Sequence, residues 1–223
     1  MNPSLVPTRS FIRWSGVSGM IGVVLLVMSF IINPGLPGDA TGAEMVRFAR
    51  QHYAAELWGA WLQAVGPVFI VLFAFSLVHL AGAMQRLAGW MTVFGATTLM
   101  TVSLIEITFY LSGMFAEPEL MPVLSIRLVY AVQHLYFMVA APALFLPLGL
   151  VLLGSRILPR AFGYLALGIA IAFGAAGVVY MLTLRLPDLV TASGAVQPIW
   201  WLAAAIMLIA RSERLATGRL AKS

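Results

Sequence analysis

Apolar residues in this chain come in runs too long and too unbroken for the surface of a water-soluble globule. Six such runs occur, at roughly 13–33, 57–81, 89–114, 126–153, 161–184 and 195–211, each close to the about 20 residues that a helix needs to cross a bilayer core. Backbone amides in hydrocarbon have no water to bond, so each run predicts a helix, which satisfies them within the segment. Strands of a membrane barrel alternate apolar and polar residues, whereas Ile21 to Ile32 and Leu144 to Leu153 are continuously apolar or small. The expected fold is therefore all-α, a polytopic membrane bundle of six transmembrane helices forming a single domain over residues 1–223.

The breaks between the runs are short, except for 33–56. There Pro34, Gly35, Pro37 and Gly38 stop the first helix, and Thr41 followed three residues on by Glu44 forms a capping-box pattern. A short amphipathic helix is expected at this point, carrying Met45, Phe48 and Tyr53 beside Arg47, Arg50 and His52 at the outer interface. The first run follows Arg9 and Arg13 as a secretory signal would, but its apolar stretch is long for one, so it is read as a retained span. Gly16, Gly19 and Gly22 in the first span, and Ala166, Ala170 and Gly174 in the fifth, predict faces where another helix packs closely. Pro67, Pro142 and Pro147 fall inside spans and predict kinks. Trp58, Trp61, Trp200 and Trp201 are expected in an aromatic belt at the outer ends of the second and sixth spans.

Composition agrees with this pattern. The 223 residues are 61% hydrophobic and 9% charged, with a mean hydropathy of +0.98, whereas a soluble domain is about 25% charged. The absence of cysteine excludes disulfide scaffolds, thiolate metal sites and cysteine nucleophiles. A net charge of +5 suggests nucleic acid only until the cations are placed. With the N-terminus inside, Arg9, Arg13, Arg86, Arg156, Arg160, Arg211, Arg214, Arg219 and Lys222 are cytoplasmic, while Arg47, Arg50, Arg127 and Arg185 are outside. That asymmetry follows the positive-inside rule and predicts both ends, 1–12 and 212–223, in the cytoplasm. The basic charge marks topology, no nucleic-acid partner is expected, and the C-terminal tail is read as touching anionic lipid headgroups.

One acid remains deep in an apolar run. Glu106 lies eight residues before Met114, about 12 Å below the outer boundary at 1.5 Å per residue, and His134 lies about 10 Å below it on the next span. An intramembrane carboxylate is costly and usually faces a partner or cavity, so Glu106 and His134 are expected to pair. Gln63 and Glu56 from the second span, Tyr110 from the third, and Arg127, Tyr130 and Gln133 from the fourth fall near the same depth, with Arg185 at the exit of the fifth. Together they predict a polar pocket open to the outer side. Four accounts fit it. The pair locks two helices; the pocket binds a small amphipathic ligand or a membrane partner; Glu106 and His134 act as acid and base on a lipophilic substrate; or the pair couples a proton to transport. The reading adopted is non-catalytic binding, with lipids, such a ligand and copies of the chain itself as partners. Neither cofactor nor metal is expected. His79 lies about 33 Å from the outer boundary by the helical rise, too far from His134 to share one haem iron.

LPGDAT at Leu36 to Thr41, His134, and LPLGLVLLGSRILPRAFGYLALGIA at Leu146 to Ala170, with Ser155, Leu158, Pro159 and Gly163 at the turn into the fifth span, resemble a family of bacterial six-helix integral membrane proteins built on a domain of unknown function. The resemblance implies a multi-pass protein of the bacterial cytoplasmic membrane with no assigned activity. Glu106 has no place in that pattern.

Overall fold

Thr8 opens the first helix by accepting the Phe11 amide on its hydroxyl at 3.2 Å. The computed structural model describes residues 7–33, 41–115, 121–183 and 195–217, and every regular element among them is helical. They are α1 (Arg9–Ile32), α2 (Gly42–Gln51), α3 (Tyr53–Leu80), α4 (Leu87–Phe115), α5 (Met121–Leu135), a π-helical turn (Tyr136–Ala140), α6 (Ala141–Leu153), α7 (Arg160–Thr183), α8 (Val196–Ala210) and α9 (Ser212–Ala216). Among the described residues, five stretches are long and apolar enough to cross a membrane: Arg9–Ile32, Tyr53–Leu80, Leu87–Gly113, Arg127–Leu153 and Arg160–Val179. The run expected as the sixth span holds the 15-residue α8, about 22 Å long against a hydrocarbon core of about 30 Å.

The long helices form a ring. α1 lies between α3 and α8, α4 packs on α3 and on α5 and α6, α6 packs on α7, and α7 meets α8. The near end of the ring is where α1 begins, and the far end is where it stops. Close approach depends on small residues, as expected. A methyl group on Gly22 would lie 2.9 Å from the Ile70 backbone nitrogen, and one on Gly95 would fall onto the Ala143 carbonyl. Ala166 and Ala170 of α7 are likewise buried.

α2 starts where the capping-box pattern placed it. Glu44 accepts the Thr41 amide at 2.7 Å, and the Thr41 hydroxyl accepts the Glu44 amide at 3.4 Å. Val46, Phe48 and Ala49 are half-buried, whereas Glu44, Arg47, Arg50 and Gln51 are exposed, which gives the helix two faces. Most of the LPGDAT segment and its proline and glycine breakers lie outside the described residues.

The three intramembrane prolines behave differently. α3 runs through Pro67 and α6 through Pro147, while the π turn ends just before Pro142. Proline cannot donate to the carbonyl four residues back and its ring crowds that carbonyl. Widening the preceding turn to the π form, with the Ala141 amide bonded to the Tyr136 carbonyl, accommodates both defects.

The core of the near half is aromatic. Trp200 and Trp201 are 4% and 3% exposed. Trp201 packs on Phe73 and Phe145 at ring-centroid distances of 5.9 and 5.2 Å, and Trp200 on Phe145 at 5.3 Å. Leu77, Leu144, Leu148, Leu152 and Leu208 fill the space around them. These tryptophans are therefore core residues and not part of an outer belt. The reason is the short α8, whose first turn already lies inside the bundle. Trp200 also donates its indole N–H to the Phe162 carbonyl, two residues into α7, at 3.2 Å. Trp58 and Trp61 are 62% and 53% exposed near the far end, as a belt requires. Trp14 and Trp90, near the start of α1 and α4, are exposed at the opposite end.

Candidate functional site

Polar side chains in the far half converge at three levels. At the rim, Tyr110 of α4 donates its hydroxyl to Asn33 Oδ1 at 3.0 Å, and the buried carboxylate of Glu56 on α3 sits beside the same hydroxyl. Nearby, Ser112 of α4 and the buried Ser125 of α5 bring their hydroxyls to 3.3 Å. One level down, Gln133 of α5 donates Nε2 to Glu106 Oε1 at 2.9 Å, and Gln63 of α3 faces the same carboxylate. At the third level, Tyr136 of the π turn donates its hydroxyl to Oε1 of the buried Gln197 on α8. Tyr136 follows Gln133 by three residues, which puts the third level one helical turn from the second.

The side chain that meets Glu106 is thus an amide, one residue before the histidine expected there. Helical geometry explains the change. Ser125, Val129 and Val132 are the buried row of α5, and at about 100° per residue Gln133 falls about 80° from Ser125 while Arg127, Tyr130 and His134 fall on the opposite side. Arg127 is exposed, and His134 is half-buried. The side chain of Tyr130 and the whole of Arg185 lie outside the described residues. His79 belongs to the near end, edge-on to Phe11 at 5.6 Å. Of the residues expected in the pocket, Glu56, Gln63, Glu106, Tyr110 and Gln133 come together.

Asn33, Tyr136 and Gln197 join the cluster without having been anticipated. Asn33 carried a usable signal, since it is a polar residue at the exit of the first span, level with Glu56. Gln197 carried a misleading one, because a full-length sixth span places it at the membrane surface.

Chemically, the arrangement supplies two carboxyl groups, Glu106 clasped by the Gln133 and Gln63 amides and Glu56 beside the Tyr110 hydroxyl, over an aromatic floor. Phe137 and Phe173 stack at 5.2 Å directly beside the Tyr136 ring. Such a site presents hydrogen-bonding groups on one side and apolar surface on the other. No protein-family model, curated protein or solved structure matches the chain, so its functional reading rests on its own residues.

Proposed function

We propose that the chain is a six-span protein of the bacterial cytoplasmic membrane with both ends inside, and that its far-end polar cluster binds a small amphipathic molecule from the outer leaflet without transforming it. The observation that carries this reading is the convergence of Glu106, Gln133 and Gln63 from three helices of an otherwise apolar bundle. Polar groups are expensive at that depth and are usually found where a partner or ligand needs them. The orientation is supported by the cations of the near end, where Arg9, Arg13, Arg86, Arg156, Arg160, Arg211 and Arg214 flank the helix termini.

Two experiments test the proposal. Ligand-dependent thermal stabilisation across a panel of neutral and charged amphiphiles is expected for the wild type and weakened in Glu106→Gln and Gln133→Ala. If both variants purify and respond like the wild type, the cluster is not the binding site. Single cysteines at Ser223 and Gly38, in a chain with no native cysteine, are expected to label from opposite sides. Labelling of position 223 from outside intact cells overturns the orientation.

A further inference from the structure

We propose that the first turn of α8, with Gln197, is where the cluster grips its ligand, and that the group it grips is the carbonyl oxygen of a neutral single-chain amphiphile. This deepens the binding reading above and rests on it. α8 starts inside the bundle, because Gln197, its second residue, is held by Tyr136, nine residues into the span that begins at Arg127. The depth is about 13 Å at the helical rise.

The observation that carries this is Gln197 itself. It is 5% exposed, its Oε1 is taken by the Tyr136 hydroxyl, and its Nε2 has no hydrogen-bond partner among the described residues. A buried amide donor left unsatisfied is destabilising, and an arriving acceptor relieves that cost. The turn is also reachable, since Ala195 and Val196 immediately before Gln197 are exposed.

The chemistry of the ligand follows from the groups on offer. The Gln197 donor calls for an acceptor. An anion would have to give up its hydration at this depth for a single neutral donor, so an ester or ketone oxygen fits where a fatty-acid anion does not. The exposed side chains of Val196 and Ile199 on the same turn provide apolar surface for the adjoining chain.

The test uses 1-oleoylglycerol and its ether analogue 1-O-oleylglycerol, which differ by the carbonyl alone, titrated against the full chain in detergent by calorimetry. The wild type is expected to bind the ester about tenfold more tightly, the factor that one added hydrogen bond supplies. Gln197→Met removes the donor at nearly constant volume and should bind both lipids equally. Gln197→Leu also removes the donor and should likewise bind both lipids equally, so it decides the matter if Gln197→Met does not fold. Equal affinities in the wild type, or a preference that survives in whichever of these two variants folds, overturns the inference. If both lipids bind equally yet Glu106→Gln weakens both, the inference fails and the broader reading stands. Binding of neither lipid overturns this inference, and the broader reading then falls or stands on the wider amphiphile panel.

Discussion

The near and far halves of this bundle are built from the same helices and held together in different ways. In the near half, Phe73, Phe145, Trp200 and Trp201 meet ring against ring among leucines, so cohesion comes from packing that tolerates little change of volume. In the far half the contacts are pairwise hydrogen bonds, Tyr110 with Asn33 and Gln133 with Glu106. Between membrane helices each such bond contributes only about 0.6 kcal/mol, and at most about 1.7. The contrast separates two tasks. The near half keeps the ring closed, and the far half has polar groups to spare because stability does not depend on any one of them.

The largest expected effect tests the near half. Trp201→Ala removes a ring that touches three other aromatic residues and should lower stability by about 3–5 kcal/mol, measured by denaturant titration in detergent micelles. A loss below about 1 kcal/mol would place the anchor elsewhere. Next comes the seam between the halves, where Gly95 lies on the Ala143 carbonyl. Gly95→Ala must push α4 away from α6 and should cost about 1–3 kcal/mol in the same assay.

That seam also shows what could be read in advance. Run length located the five helices long and apolar enough to cross a membrane, because a lipid-buried backbone has few alternatives to a helix. Glycine and alanine stripes marked close faces for a similarly local reason. Thr41 and Glu44 marked the start of α2, since a capping box involves only four consecutive residues. The site was only partly legible. Glu106 was conspicuous through its cost, but its partner depended on the rotation of α5, and a row drawn through Arg127, Tyr130 and His134 is as regular as the buried row through Ser125, Val129 and Val132. Trp200 and Trp201 were misplaced because nothing local to them reveals that α8 begins well inside the bundle.

The far half should respond more weakly. Gln133→Ala is expected to cost about 0.6–1.7 kcal/mol. Glu106→Gln should be nearly neutral in the absence of ligand, because two facing amides still bond, and a large loss there would mean that the cluster is structural. The smallest effect belongs to α2. The Thr41 amide, followed by the Thr41 hydroxyl, holds the Glu44 carboxyl below the usual carboxylate range. A carboxyl depressed in the folded state contributes stability above its unfolded pKa and loses it as pH falls through the folded value. Hydrogen exchange should therefore show α2 amides opening faster as pH is lowered from neutral towards about 3. The near-half helices should remain protected, and equal loosening of both regions would undo the contrast.

The π turn before Pro142 also acts as a phase shift. It places one extra residue in the continuous span from α5 to α6, so residues on either side of it keep separate angular frames, offset by about 100°. Deleting a single residue between Tyr136 and Ala140 would merge the two frames. Every side chain of α5 would then turn past its neighbours, with Gln133 leaving Glu106, while α6 kept its place against α4 and α7. The chemistry of the far half can thus be re-indexed in one step without disturbing the near half, and a one-residue insertion or deletion at this turn is a wider route to new binding properties than any single substitution within the cluster.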